Sequence, residues 1–159
     1  MKYPEQHDYH MLMRMIELAM QAHEEQFDMA QRPYFLHPLT VMQSIADHYD
    51  DDFVLMQIAM GHDLIEDTWV TKEHLENAGF SERVVDAIVA LSKREGLSYK
   101  DYKKQVLASE DAMRVKFYDI SHNMDIGRLG RIPTEKDLKR QELYKQFRDE
   151  IVVELEKYS

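Results

Sequence analysis

Only five glycines and four prolines punctuate the 159 residues, and between them apolar residues recur mostly at spacings of three and four. Such spacing marks amphipathic helices, whereas strands would alternate with a period of two. The class implied is an all-α bundle. A chain of this length can bury a sizeable core as a single domain spanning residues 1–159.

Cap residues suggest where the helices begin and end. The first is expected from an N-cap at Asp8 to about Phe27, with Met11, Met15, Leu18, Ala19, Ala22 and His23 along one face. After a loop over 28–36, His37 would cap a second helix with Pro38 at its first position, ending near Tyr49. Asp50-Asp51-Asp52 then leads into a strongly apolar helix, Phe53 to about Ile65, that should be central to the core. Thr71 starts a short helix ending at Gly79, and Ser81 with Glu82 starts another through Leu91. Ser98 is the N-cap of a helix through Leu107, and a further helix runs from about Asp111 to Met124. A glycine-bearing loop over 127–133 precedes the last helix, Thr134 to Tyr158, with Leu138, Leu143, Phe147, Ile151 and Leu155 on its buried side.

Composition narrows the chemistry. With no cysteine, thiolate metal sites and cysteine nucleophiles are excluded, any metal must use His, Asp or Glu, and a reducing cytoplasm suits the chain. The early apolar run from Met11 to Met20 is broken by Arg14 and Glu17, which marks an amphipathic helix and not a signal peptide. The longest stretch free of Asp, Glu, Lys and Arg, Pro33 to Ala46, is too short to span a bilayer. A net charge of −10 repels phosphate polymers, so DNA and RNA are not expected partners. A small phosphorylated ligand stays compatible if a metal supplies local positive charge.

The densest group of candidate ligands is Gly61-His62-Asp63-Leu64-Ile65-Glu66-Asp67-Thr68. A His-Asp dipeptide alone carries little information, since eight histidines and fifteen aspartates give roughly 0.75 occurrences by chance. Here a second acidic pair follows one turn later, so three carboxylates and an imidazole crowd one helix end. A divalent cation would offset their mutual repulsion, and a solvated acidic helix terminus is the bland alternative. His37, in Tyr34-Phe35-Leu36-His37-Pro38, suits either a buried hydrogen-bonded imidazole or a ligand. Asp119 needs a partner if buried: Lys116, His122 or a metal. Asn123 would serve helix-to-helix hydrogen bonding equally well.

Taken together, Ala22-His23, Pro33-Tyr34-Phe35-Leu36-His37-Pro38, His62-Asp63-Leu64-Ile65-Glu66-Asp67-Thr68, Leu91-Ser92-Lys93 and Val115-Lys116-Phe117-Tyr118-Asp119 with His122-Asn123 resemble the hydrolase domain of the RelA/SpoT alarmone enzymes. Order and spacing match over roughly residues 10 to 125. The resemblance implies an HD-domain helical bundle and hydrolysis of the 3′-pyrophosphate from guanosine tetra- or pentaphosphate. It implies His37, His62, Asp63 and Asp119 as metal ligands, Mn²⁺ as the usual ion with Zn²⁺ or Fe²⁺ compatible with the same donors, and Glu66 and Asp67 as the catalytic pair acting on a water. By the same resemblance Asn123 contacts the nucleoside and Lys116 binds phosphate or supports the ligands. No synthetase domain is expected within 159 residues.

The chain also departs from that pattern. Asp28-Met29-Ala30-Gln31 replaces a basic pair that would stack on the base, leaving Arg32 as the available substitute. Ile120 and Asp125 stand where arginines are expected. The departures keep two other readings open: an HD phosphohydrolase acting on a nucleotide 5′-phosphate, a cyclic nucleotide or the 2′-phosphate of a dinucleotide, and a noncatalytic nucleotide sensor.

Overall fold

The computed structural model describes residues 3–159, which form helices and connecting turns with no strand among them. In chain order these are α1 (Tyr3–Ala22), α2 (Leu36–His48), α3 (Phe53–Gly61), α4 (Leu64–Asp67), α5 (Lys72–Asn77), α6 (Glu82–Leu91), α7 (Tyr99–Leu107), α8 (Glu110–Asn123) and α9 (Glu135–Leu155). A 3-10 turn, Ile126–Leu129, joins α8 to α9.

Most starts follow from local capping chemistry. The side chains of Asp52, Thr71, Ser81, Ser98 and Thr134 each accept a backbone N–H from the first turn that follows, satisfying a donor that the helix cannot. α8 begins at Glu110, one residue before the expected start, because the Ser109 side chain caps it in the same way. α1 differs more: Asp8 lies inside it, and it stops at Ala22 instead of Phe27. The five residues after Ala22 belong to a turn closed by an antiparallel bridge between Phe27 and Pro33, which an extended helix would forbid.

α3 is the axis of the bundle and packs against α1, α2, α6 and α8. Leu55, Met56, Ile58, Ala59 and Met60 are buried all round it, as a helix apolar on every face requires. Its one buried amide, Gln57, donates to the Asp8 carbonyl at 3.0 Å. Gly61 closes the helix where three elements meet: a Cβ there would lie 2.8 Å from both Ile88 Cδ1 and Met15 Sδ. Gly61→Val is therefore expected to destabilise the fold by about 2 kcal/mol through overpacking. Urea denaturation checks this; an unchanged midpoint would mean that α1 and α6 yield freely.

The last helix corrects an expectation. Phe147 and Ile151 are buried and Leu155 is half-buried, but Leu138 and Leu143 are about half exposed. The inward stripe runs through Asp137, Gln141, Tyr144, Phe147, Ile151 and Leu155, at steps of three and four, and both leucines fall off it.

Candidate metal centre

Four polar side chains from α2, α8 and the α3–α4 junction converge in the interior. The expected single helix from Phe53 to Ile65 is broken at His62-Asp63, where the His62 imidazole Nδ1 lies 2.7 Å from the Ala59 carbonyl and replaces the usual backbone arrangement. His37 sits in the first turn of α2, where Pro38 removes no helical hydrogen bond. Asp119 faces inward from α8. His37, His62 and Asp119 are each at most 3% exposed.

His37 Nε2 is 2.9 Å from Asp119 Oδ1 and 3.7 Å from Asp63 Oδ2; His62 Nε2 is 3.1 Å from Asp63 Oδ2 and 3.3 Å from Asp119 Oδ1. Ligands about 2.1 Å from a common ion stand about 3.0 Å apart at right angles and about 3.4 Å apart tetrahedrally. The observed separations bracket both values. His62 Nε2 is buried with no hydrogen-bond partner among the described residues, despite two nearby carboxylates. A ring nitrogen aimed at a point between acidic oxygens, and well aligned with neither of them, is what a cation site requires. The donor set fits a divalent metal.

Partners around these four fix their orientation. His37 Nδ1 lies 2.7 Å from His122 Nδ1, with the two rings nearly parallel. Burial, with Arg128 and His37 nearby, pushes His122 down to about 4, so its neutral ring accepts the His37 Nδ1–H, while His37 Nε2 is hydrogen bonded to Asp119 Oδ1. Tyr34 donates its hydroxyl to Asp63 Oδ2 at 2.5 Å. Lys116 donates to Asp119 Oδ2 at 2.7 Å and Asn123 to Asp119 Oδ1 at 2.9 Å. His23, buried beside Tyr34, is hydrogen bonded through Nδ1 to Gln26.

At the solvent rim, carboxylate oxygens of Asp63, Glu66 and Asp67 lie within 4.8 Å of one another. Glu66 Oε1 accepts the Lys93 backbone N–H at 2.6 Å. Glu66 and Asp67 are exposed residues, and the surrounding protein shields their carboxyl groups only in part. That shielding, then Asp63 and Glu66, pushes Asp67 up to about 6; Glu66 is raised as well.

Beside the centre lies a cavity of about 280 Å³, walled by Phe27, Tyr34, Asn123, Arg128, Arg140 and Tyr144 among others. Asn123 is thus placed between the acidic core and this space. Arg32 is not: Asp28 accepts from the Ala30 and Arg32 backbone N–H groups, Gln31 adopts a left-handed conformation, and the Arg32 side chain turns to Asp28 at 3.4 Å. Lys116 is occupied by Asp119. The guanidinium groups that do reach the cavity are Arg128, from the 3-10 turn, and Arg140, from α9. Gly130, at φ 67°, lets the 3-10 turn abut the 28–31 loop, since a Cβ would sit 3.1 Å from Ala30 Cα.

No family model matches the chain. It is 37% identical to a guanosine-3′,5′-bis(diphosphate) 3′-pyrophosphohydrolase of Haemophilus influenzae and 35% identical to one of Vibrio cholerae, in each case over 67% of this chain. Those alignments cover 17% and 16% of the relatives, so the chain spans about a sixth of their length. A solved structure of a metazoan ortholog of SpoT, described as hydrolysing ppGpp and acting in starvation responses, superimposes with a TM-score of 0.73 at 18% identity, covering 92% of both chains. The chain is therefore a homologue of the (p)ppGpp 3′-pyrophosphohydrolases, built on the HD-domain helical fold.

Proposed function

We propose that the chain is a metal-dependent hydrolase that removes the 3′-pyrophosphate from guanosine or adenosine alarmones such as (p)ppGpp, with residues 1–159 acting as one hydrolase domain. The observation that supports this most is the convergence of His37, His62, Asp63 and Asp119 around one point, with His62 Nε2 buried and unpartnered. These four would hold a divalent ion; two imidazoles and two carboxylates suit Mn²⁺, the usual ion in the family, and are also compatible with Zn²⁺ or Fe²⁺. When bound, the ion would lower the pKa of an associated water and neutralise phosphate charge.

The remaining work falls to the protein. His122 and the Ala59 carbonyl keep both imidazoles in the tautomer that presents Nε2. Tyr34, Lys116 and Asn123 hold the two ligand carboxylates in place. Asp67, with a pKa raised to about 6, accepts the proton of the attacking water, while Glu66, tethered to the Lys93 N–H, orients it. Asn123 contacts the nucleoside from the cavity wall. Lys116 acts through Asp119, and Arg32 reaches substrate only by giving up Asp28.

The ligand is a small nucleotide and not a nucleic-acid polymer, in keeping with the net charge of −10. No described helix is long and apolar enough to cross a membrane. A cytoplasmic location suits a chain without cysteine. Purified protein incubated with Mn²⁺ and guanosine or adenosine alarmones is expected to release pyrophosphate; inorganic phosphate, or no product from any of them, would reject this substrate class.

A further inference from the structure

Glu66 is held by a backbone N–H that a helix end would ordinarily keep for itself. α6 stops at Leu91, and Ser92 leaves the helix in an extended conformation, φ −97° and ψ 116°. Every helix ends on carbonyls that its own N–H groups cannot reach. A common remedy is a left-handed residue at the next position, here Lys93, whose N–H folds back onto a carbonyl three or four residues earlier. For Lys93 those acceptors would be Ala90 and Val89. Its N–H instead crosses to α4, where Glu66 Oε1 accepts it at 2.6 Å.

A side chain from α7 does the capping in its place. Gln105 Nε2 donates to the Ala90 carbonyl at 2.9 Å, to that of Val89 at 3.2 Å and to that of Ser92 at 3.3 Å. The two carbonyls that a folded-back Lys93 would satisfy are therefore the two nearest contacts of one amide. The rest of the helix end is closed as well. Ser92 Oγ donates to the Ile88 carbonyl at 2.7 Å, and the Tyr102 hydroxyl donates to that of Leu91 at 3.0 Å. Each carbonyl from Ile88 to Ser92 thus has a donor, and none of them calls on Lys93.

Beyond Ser92 the connection to α7 is exposed from Lys93 to Gly96, so the position of the Lys93 N–H depends on how the helix end is capped. We propose that Gln105 is a positioning residue for the hydrolytic site: by occupying the Ala90 and Val89 carbonyls it releases the Lys93 N–H to hold Glu66, and through Glu66 it places the attacking water. Without those side-chain donors the open carbonyls would draw the Lys93 N–H back onto α6, and Glu66 would lose its tether. The assignment rests on the reading of Glu66 as the group that orients water, but the contact itself is tested apart from catalysis.

Gln105→Met keeps the length of the side chain and removes both N–H groups. Gln105→Lys restores donors on a chain of similar reach, at a helix end whose carbonyls favour a cation. In metal-free protein, two-dimensional NMR should show the Lys93 amide shifted upfield and exchanging with solvent about tenfold faster in Gln105→Met, and close to wild type in Gln105→Lys. In alarmone hydrolysis with Mn²⁺, Gln105→Met should lower kcat about tenfold with KM and bound metal unchanged, and Gln105→Lys should recover most of that loss. In a Glu66→Ala background the same Gln105→Met change should alter kcat by less than about twofold, because no carboxylate remains to be placed. A loss as large in that background as in wild type would overturn the proposal, reducing Gln105 to a general support of the bundle. So would a Lys93 amide that Gln105→Met does not move, or one that moves while kcat stays intact. A wild type that hydrolyses no alarmone would remove the hydrolase reading, while the amide would still decide whether Gln105 frees the Lys93 N–H.

Discussion

His62→Ala is expected to abolish stoichiometric divalent-metal binding and to lower alarmone hydrolysis by at least about a thousandfold. Removing an outer partner of a metal ligand costs about 10–100-fold in affinity or activity, and His62 is proposed as a ligand itself. The substitution deletes a buried ring nitrogen that has no hydrogen-bond partner among the described residues and leaves Asp63 and Asp119 facing each other with less positive charge between them. The same residue sets a pH dependence. Burial disfavours the protonated ring, but Asp63 and Asp119 outweigh it and hold the metal-free His62 pKa well above the ordinary value. An ion must displace that proton. Below the raised pKa, apparent metal affinity should therefore climb about tenfold per pH unit and level off above it. Metal content after dialysis, with chelator competition between pH 6 and 8, measures both effects. One tightly held equivalent in His62→Ala would refute the assignment.

Much of this arrangement is legible in the residues because it is local. Asp52, Thr71, Ser81, Ser98 and Thr134 cap helices where their side-chain oxygens can reach an orphan N–H two or three residues on, which depends on little else in the fold. The candidate ligands were visible as residue types in a spaced pattern. What stayed hidden depends on long-range packing. Nothing in the neighbourhood of Phe27 announces that it pairs with Pro33 and so ends α1 early. The exposure of Leu138 and Leu143 follows from which side of α9 meets α8, information that the apolar pattern of α9 alone does not contain. The His37–His122 contact joins residues 85 positions apart. Arg32 looked available because it is basic and close to the motif, but the Asp28 side chain organises the turn and draws it away. Arg128 looked like a loop residue, and only the 3-10 turn delivers it to Asn123.

Asp67→Asn is expected to lower kcat by about 10²–10⁴ while leaving bound metal unchanged, because the amide keeps the size of the side chain and cannot accept a proton. The environment supports a base at this position. Shielding of the carboxyl, then the charges of Asp63 and Glu66, lifts Asp67 to about 6 in the metal-free protein, close enough to neutrality to combine ionisation with proton affinity. A divalent ion among the same carboxylates favours the ionised form and moves that value down. Activity should therefore fall as pH drops through a value at or below about 6, and the Asp67→Asn variant should lose this acid limb along with the rate. Glu66→Gln provides the contrast: Glu66 is tied to the Lys93 N–H through Oε1, an oxygen that the amide retains, so orientation survives in part and the loss should be smaller. Steady-state rates between pH 5 and 9 with metal content measured in parallel separate the roles. If Asp67→Asn kept its acid limb and most of its rate while Glu66→Gln lost both, the proton acceptor would be Glu66, and Asp67 would serve only to place the water.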